Sequence, residues 1–484
     1  MPFTATIGIE VHAQLQTASK MFCACRADYA AAPPNTLVCP VDLGLPGALP
    51  VINAKAVADT VLTGLALGCR IAEVSWFDRK NYPYPDLPKG YQISQYDHPL
   101  CSNGALEIEV AGERRRVRIR RVHLEEDTAK LTHAGDCTLV DFNRAGVPLM
   151  EIVSEPDMHT PEEAYAYVTH LRSILRYLGV NSGDMEKGAL RLEVNVSVAP
   201  EGKQGTKVEI KNLNSFRAVL RSLEYEIARQ TRVLEAGGRV EQVTMGWDEA
   251  REMTFEQRTK EEAHDYRYFP EPDLPPLTLD PAWVEGIRAR LPELPGAKAR
   301  RYQQEYGLSA YDAGVLTAER AVAEYFEEAV ALAGAGVDAK MIANWLTGEL
   351  FRLLRAEDKP IEASPVTPER LVALLGMVAS GQLSAASGKA VLGEMFATGK
   401  APQEIAQVRG LAQLSDRALL REVAERVLSE NPGPTADYLA GKEQVFRFLM
   451  GQLMRATRGQ ANPQVAQEAL QEALEARRNG GAQG

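Results

Sequence analysis

The sequence has few of the features that mark secreted or membrane proteins. It contains six cysteines in 484 residues, which do not form the disulfide framework of a secreted domain. No stretch approaches the ~18 consecutive apolar residues of a transmembrane helix. Residues 1–6 show no basic segment leading into an apolar one, the pattern of a signal peptide. We therefore expect a cytoplasmic protein without a membrane partner.

Two further absences concern the binding of phosphate and nucleic acid. The chain has no Gly-x-x-x-x-Gly-Lys-Ser/Thr loop and no strand-linked Gly-x-Gly-x-x-Gly, which argues against P-loop and Rossmann nucleotide sites. Its net charge is −11, whereas proteins that bind RNA over a wide surface usually carry a basic excess. If RNA is a partner, local basic patches or other subunits must hold it.

The length of the chain and a change in its composition predict several domains, because 484 residues are too many for one hydrophobic core. Alternating segments, turns and a few helices extend to about residue 294, and Ala-, Glu-, Leu- and Arg-rich helices follow. Seven prolines between Pro270 and Pro295 predict an extended crossover at this boundary. A weaker boundary lies near Gly410. We predict domains at 1–294, 295–410 and 411–478, with residues 479–484 disordered.

The most informative pattern is the alternation of apolar and polar residues in five predicted strands, at 6–16, 121–130, 149–153, 190–198 and 207–211. Their polar faces carry Glu10, His12, Glu125, Glu193 and Glu209, and Glu151 stands among apolar neighbours. A solvated sheet face explains any one of these strands. It explains the set less well for two reasons. Most of these glutamates lie near His, Asn or Lys on the same strand, and Glu151 lies between residues that look buried. An unpaired buried carboxylate is costly, so a partner or a metal ion is implied.

Carboxylates gathered on one face of a sheet predict a site for Mg2+, which prefers oxygen ligands and shares them with nucleotide phosphate. His12 supplies an imidazole ligand or a hydrogen-bond donor. Phosphoryl transfer also needs cations that neutralise the moving group, and the candidates are Lys80, Lys89, Lys207 and Lys211. The pattern therefore favours a Mg-ATP site on the sheet.

Eight long motifs resemble the B subunits of the bacterial GatCAB tRNA-dependent amidotransferases. They are IGIEVHAQL at 7–15, FDRKNY at 77–82, YPDLPKGYQISQ at 84–95, HLEEDTAK at 123–130, DFNRAGVPLMEIV at 141–153, VEIKNLNS at 208–215, the segment 261–276, and GQLMRATRGQANP at 451–463. Together they span nearly the whole chain.

The resemblance implies an α+β fold. It comprises a cradle-like catalytic domain, with an antiparallel sheet related to glutamine synthetase and guanidino kinases, then an all-α domain and a small helical tail. The implied reaction uses ATP to phosphorylate the side-chain carboxylate of Glu on tRNA(Gln) or Asp on tRNA(Asn). Ammonia that the A subunit releases from glutamine then displaces the phosphate. The implied partners are the A and C subunits of a heterotrimer and the tRNA, and the cognate non-discriminating aminoacyl-tRNA synthetase is a further candidate.

Carried over position by position, the resemblance places Glu10, His12, Glu125 and Glu151 at the metal and phosphoryl-transfer centre. Glu193 and Glu209 are additional candidates for the metal site. Lys80 and Lys89 fall in a lysine motif near the ammonia exit, where they would orient the acyl phosphate.

A second metal candidate is the group Cys23, Cys25, Cys39 and Asp42. It resembles a zinc knuckle of some family members, with Asp42 in place of a fourth cysteine. Aspartate can bind Zn2+, but three cysteines and one aspartate make an uncommon site. A bound zinc ion and the loss of zinc during divergence are therefore equal alternatives.

Two basic segments are candidates for RNA contact. Lys442, Arg447, Arg455 and Arg458 lie on the polar face of predicted C-terminal helices, and the resemblance favours tRNA binding over a merely solvated face. The arginine-rich segment 113–121 is better explained as a charged edge strand or hairpin. Two other functions remain open at this stage: a small-molecule ligase or guanidino kinase, and a non-catalytic tRNA-binding scaffold.

Overall fold

The computed structural model describes residues 3–259, 266–411, 417–457 and 461–480. The chain divides into two compact units, Met1–Pro295 and Gly296–Gly484. The first unit combines a large sheet with helices and the second is helical, so the predicted α+β class is confirmed. Among the helices of the described residues, none is both long and apolar enough to cross a membrane.

The strands of the first unit are β1 Phe3–Gln14, β2 Arg70–Ile71, β3 Val74–Ser75, β4 Asp78–Asn81, β5 Tyr91–Ser94, β6 Cys101–Val110, β7 Glu113–Glu126, β8 Lys130–Ala134, β9 Cys137–Asp141, β10 Pro148–Ser154, β11 Leu190–Pro200, β12 Val208–Leu213, β13 Val243–Asp248, β14 Met253–Thr259, β15 Phe269–Pro270 and β16 Leu277–Thr278. Nine of them form one sheet in the order β14-β13-β12-β11-β1-β10-β7-β6-β2. Its neighbouring strands are antiparallel except β12 and β13, which pair in parallel.

Four helices accompany the sheet: α1 Ala54–Ala66, α2 Pro161–Tyr177, α3 Phe216–Glu235 and α4 Pro281–Arg288. The first three begin after Asn53, Thr160 and Ser215, each of which caps the first turn with a side-chain oxygen. Their apolar faces share one core with alternate residues of the strands, such as Ile9 and Val194. Burial of this face leaves the other set of side chains, including Glu10 and His12, on the opposite face of the sheet.

Two details of this unit differ from the sequence-based expectations, and a third agrees with them. The proline-rich segment is not extended throughout, because Asp280 caps helix α4 and Pro281 occupies its first turn. Strand β7 ends at Glu126, so residues 127–129 lie outside it. The arginine-rich segment lies within β7, and its residues 113–118 pair with β6 alone, because the pairing with β10 begins at Ile119. This part of β7 is therefore the charged edge that was predicted. It also forms the predicted hairpin, whose turn has positive φ at Ala111 and Gly112.

The second unit contains the helices α5 Pro295–Tyr306, α6 Ala310–Thr317, α7 Arg320–Leu332, α8 Ala339–Asn344, α9 Phe351–Ala356, α10 Pro368–Ala379, α11 Ala385–Thr398, α12 Pro402–Arg409, α13 Arg417–Glu430, α14 Pro432–Leu439, α15 Phe446–Ala456 and α16 Pro463–Gly480. A π-helical segment, Trp345–Leu350, joins α8 to α9. The buried apolar residues of this unit form two cores, one drawn from residues 302–406 and the other from residues 420–474. The three-domain division stays a prediction, and residues 481–484 of the expected disordered end lie outside the described residues.

A carboxylate-rich site on the polar face of the sheet

Three residues from neighbouring strands form the first acidic group. His12 of β1, Glu125 of β7 and Glu151 of β10 each offer a ligand atom, and these atoms lie within 4.8 Å of one another. The Nε2 atom of His12 is 3.6 Å from Glu125 Oε1 and 3.6 Å from Glu151 Oε2. The strand register causes this convergence, because His12 stands opposite Glu151 in the β1–β10 pair.

A second acidic group lies beside the first and consists of Glu10, Glu193 and Glu209, whose oxygens also lie within 4.8 Å of one another. Glu10 stands opposite Glu193 in the β1–β11 pair. Lys211 Nζ lies 2.9 Å from Glu193 Oε2 and 3.9 Å from Glu209 Oε2. The six predicted metal ligands therefore lie on one face, but they form two adjacent groups and no single pocket.

Neutral donors orient individual carboxylates of both groups. Asn195 Nδ2 donates to Glu10 Oε1 at 2.9 Å, and Thr244 Oγ1 donates to Glu209 Oε2 at 2.8 Å. Ser94 Oγ donates to Glu125 Oε2 at 3.2 Å. These donors fix the side-chain conformations, and they leave lone pairs on the carboxylates for a cation.

The titration behaviour of the site reflects its negative charge. Burial acts to lower the pKa of His12, but its hydrogen bond to Glu151 and the charges of Glu151, Glu125 and Glu193 raise that pKa to about 9. Burial acts to raise the pKa of Glu151, and His123 and His12 outweigh it and hold that pKa well below its usual range. Burial also acts to raise the pKa of Glu193, and Lys211 and His12 outweigh it and lower that pKa. Glu151 and Glu193 are therefore ionised at neutral pH.

Lys80 lies beside the first group in a cage of tyrosines. Its Nζ atom is 5.0 Å from the ring centre of Tyr266 and 5.9 Å from that of Tyr82. Burial acts to lower the pKa of Lys80, but Glu125, Tyr268 and Glu151 raise it above its ordinary value. The structure thus brings Lys80 to the acidic site as a permanent cation.

Lys89 is placed elsewhere. Its Nζ atom lies 2.7 Å from Glu126 Oε1, and Glu126 also accepts a hydrogen bond from the backbone of Ile93 at 2.9 Å. Because successive side chains of a strand point to opposite faces, Glu126 directs Lys89 away from the face that carries Glu125. The structure does not support grouping Lys89 with the carboxylates.

A cavity of about 260 Å3 adjoins the second acidic group. Its lining includes Glu10 and Asn195 together with the basic residues Arg120, Lys203 and Lys207. The loop between β11 and β12 contributes to its lining. This loop passes so close to β11 that a Cβ atom at Gly205 would lie 2.5 Å from the carbonyl oxygen of Val198, which favours glycine at this position. An anionic group is suited to the end of this cavity that Lys203 and Lys207 line, whereas Arg120 is already paired with Glu155 and Glu10 adds a negative charge at the other side.

The predicted zinc ligands also lie together. Cys23, Cys25, Cys39 and Asp42 present ligand atoms within 4.8 Å of one another. The carboxylate of Asp42 accepts from Cys39 N at 2.9 Å and lies 3.4 Å from the Nζ atom of the fully buried Lys20. Burial and Asp42 raise the pKa of Cys25 to about 11. The sequence reasoning missed Lys20, because nothing in its pattern marks a buried lysine.

The basic segments differ in how their charges are balanced. In β7, Arg118 pairs with Asp157 at 2.7 Å and Arg120 with Glu155 at 2.9 Å, so local carboxylates match much of the arginine run. Lys442 lies in the turn after α14 and not on a helix as predicted, and it pairs with Asp437 at 2.9 Å. Arg447 and Arg455 of α15 are exposed. Arg458 lies outside the described residues.

Two residues of the site have no signal in the sequence that assigns them a role. His123 is fully buried, and its Nε2 atom lies 3.2 Å from Glu151 Oε2; the alternation places it on the polar face and says nothing more. Thr244 has no distinguishing signal either, because an uncharged threonine is common on the polar face of a strand. Its neighbour Glu209 identifies it only once the parallel β12–β13 register is known.

The fold and this face define an α+β protein with two carboxylate groups and a basic cavity on one sheet. Comparison with known proteins gives the family. A model of the GatB/GatE catalytic domain matches residues 5–285, and a model of the GatB domain matches residues 324–474. The chain belongs to the GatB family.

Individual relatives are similar over their full length. Each of the following is named as the B subunit of an aspartyl/glutamyl-tRNA(Asn/Gln) amidotransferase. The relative in Herpetosiphon aurantiacus is 55% identical, over 98% of this chain and 100% of the relative, and that in Moorella thermoacetica is 54% identical, with the same coverage. The relative in Thermomicrobium roseum is 56% identical, over 98% of this chain and 99% of the relative. The family predicted from the motifs is therefore confirmed.

Proposed function

We propose that this chain is the B subunit of a tRNA-dependent amidotransferase that activates the side-chain carboxylate of Glu-tRNA(Gln), Asp-tRNA(Asn) or both with ATP. The main support is the pair of carboxylate groups beside a basic cavity on one sheet face. The relatives support the tRNA substrate through their names. In this proposal residues 1–294 form a cradle-like domain related to glutamine synthetase and guanidino kinases, 295–410 a helical domain and 411–478 a tRNA-binding tail.

The donor set fits Mg2+. The second group offers three closely spaced carboxylates, and the first offers two carboxylates and the imidazole of His12. Magnesium prefers oxygen ligands in octahedral geometry with several waters retained. His12, Glu125 and Glu151 would hold one ion, and Glu10, Glu193 and Glu209 would hold another. When bound, such ions neutralise and orient phosphate oxygens.

The chain's own residues then assist two chemical steps. In the first, a substrate carboxylate oxygen attacks the γ-phosphorus of ATP, and ADP leaves with the bridging electron pair. In the second, ammonia attacks the acyl carbon, phosphate leaves, and the nitrogen loses a proton. Lys80 would hold the negative charge of the phosphoryl group, and the cavity residues Lys203 and Lys207 would hold the nucleotide phosphates.

We extend the proposal to the partners and the second metal. Ammonia would come from glutamine through an A subunit, a C subunit would complete the heterotrimer, and the cognate non-discriminating synthetase would deliver the charged tRNA in the cytoplasm. Cys23, Cys25, Cys39 and Asp42 would bind a structural zinc ion, because their donor atoms already lie together.

The test is ADP and amide formation by the complete three-subunit complex, supplied with each mischarged tRNA, ATP and glutamine. Removing Mg2+ should abolish both products. Glu10→Gln and Glu125→Gln should each lower the rate by about 100-fold or more, because each removes charge from the reacting centre. Glu224→Gln, at an exposed position of α3, is the matched control. A scaffold would keep normal amidation with Glu10→Gln, and a small-molecule kinase would form ADP without tRNA.

A further inference from the structure

The polar face of β1 orders the parts of the site along one line. Thr6 and Gly8 line the cavity, Glu10 belongs to the second acidic group, and His12 belongs to the first. Gln14 follows on the same face and contacts Asp127. Residues two apart in a strand are separated by about 6.7 Å, so the basic cavity and Asp127 lie at opposite ends of the acidic groups.

Arg191 occupies the end marked by Asp127. It stands opposite His12 in the β1–β11 pair. Its Nη2 atom donates to Asp127 Oδ1 at 3.0 Å, and its side chain is 33% exposed. Within the described residues this is the one hydrogen bond that the Arg191 side chain makes, although a guanidinium has five donors. The remaining donors are available on a partly exposed cation beside the carboxylates.

Asp127 is a rigid anchor for that guanidinium. It is buried and accepts hydrogen bonds from Gln14 Nε2 at 2.7 Å and from the backbone N–H of Thr128 at 2.8 Å. Arg144 lies 3.8 Å from it and donates to the carbonyl oxygens of Thr128 and Ala129. The guanidinium of Arg144 thus donates to the loop backbone, whereas that of Arg191 donates only to Asp127 within the described residues and has further N–H groups for a ligand.

The acidic face presents an electrostatic difficulty for an anionic substrate. A free carboxylate that approaches Glu125, Glu151 and Glu193 is repelled by each of them, so a fixed cation on its side of the site favours its binding. Arginine matches a carboxylate with two parallel donors.

We propose that Arg191, positioned by Asp127, binds the side-chain carboxylate that the site activates. This inference rests on the proposed function. It assigns the acceptor to the Arg191 end of the face and the nucleotide to the basic cavity, with the acidic groups between them. Arg191 is then a substrate-binding residue that distinguishes an acidic side chain from its amide product.

The test compares binding of charged and neutral ligands to the complete three-subunit complex with Mg2+ and without ATP. The ligands are tRNA(Gln) carrying Glu or Gln, and tRNA(Asn) carrying Asp or Asn, through a hydrolysis-resistant 3′-amide. The wild type should prefer the acidic ligand by about tenfold or more, the size of a charged hydrogen bond. Arg191→Gln should bring the ratio to about one while binding of the neutral ligand is retained. Arg191→Lys should lie between, because it keeps the charge and loses the paired donors.

Arg118→Gln is the matched control, since Arg118 is an exposed arginine that also pairs with an aspartate, Asp157. It should leave the ratio unchanged. An unchanged preference in Arg191→Gln and Arg191→Lys would overturn the inference. So would equal weakening of both ligands, or a raised KM for ATP at constant preference, which would place Arg191 at the nucleotide. Failure of the wild type to form ADP with charged tRNA would instead refute the proposed function, and the binding ratio would still test Arg191.

Discussion

His123 and Glu151 face each other across strands β7 and β10, with His123 Nε2 3.2 Å from Glu151 Oε2. His12 approaches the same oxygen from β1 at 3.6 Å. Glu151 therefore stands between two imidazoles in a row across three strands. His123 is fully buried, so it acts on the site by orienting Glu151.

We predict that His123→Gln weakens the response to Mg2+ without changing binding of tRNA. Residues that orient a metal ligand typically contribute about 10- to 100-fold to metal affinity or activity. The Mg2+ concentration for half-maximal ADP formation should rise accordingly, while the KM for charged tRNA stays constant. His133→Gln, in the exposed β8–β9 hairpin, is the control. An unchanged Mg2+ dependence in a folded His123→Gln protein would contradict a positioning role.

Zinc content tests the cysteine group directly. Purified protein should contain about one zinc ion per chain, and Cys39→Ser should remove it, as measured by elemental analysis. Cys137→Ser should retain the metal, because Cys137 is an exposed residue of β9 outside the group. If the wild type neither contains nor takes up zinc, the alternative of a lost metal site is correct.

The exposed arginines of α15 provide a prediction about tRNA. Arg447→Gln and Arg455→Gln should weaken binding of all tRNAs alike, because phosphate contacts carry no sequence information. Each change should lower the slope of log affinity against log salt by about one unit. Lys400→Gln, which removes an exposed pair with Glu404, is the control. Equal salt slopes for the variants and the wild type would show that α15 presents only a solvated face.

A stability prediction concerns Glu327 of α7, which binds Lys298 at 2.8 Å and Arg301, both on α5. Burial acts to raise the pKa of Glu327, but the two cations lower it below its ordinary value. A lowered folded pKa stabilises the protein above the unfolded pKa of about 4.3, and this contribution is lost as pH falls through the folded value.

Glu327→Gln should therefore destabilise the protein at pH 7 by about 1 kcal/mol, allowing for solvent screening of this partly exposed triad. The difference from the wild type should shrink as the pH falls below about 4. Thermal unfolding of the full chain, with hydrogen exchange in α5 and α7, measures both effects. Glu324→Gln, an exposed position on the same helix, should change little. If Glu327→Gln is destabilised by the same amount at pH 7 and at a pH of about 3.5, the cause is lost packing and not the lost charge.

Much of the first unit could be predicted from local sequence. The period-two pattern around Ile7, Ile9 and Val11 places Glu10 and His12 on the polar face, and Thr160 with Pro161 marks the start of α2. These features depend on neighbours within a few residues, so the sequence contains the information directly. The weaker predictions rest on composition: prolines near residue 281 suggest extended chain, but Asp280 caps a helix there.

The amino-acid pattern alone establishes which residue types share the polar face of each strand, and hence the candidate carboxylates. How those carboxylates group depends on the folded chain. The register places Glu10 opposite Glu193 and His12 opposite Glu151. Lys89, which precedes β5, forms its ion pair with Glu126 and not with Glu125. Pairing between strands distant in sequence depends on how whole faces pack, and shifting it by one residue would turn each side chain to the other face.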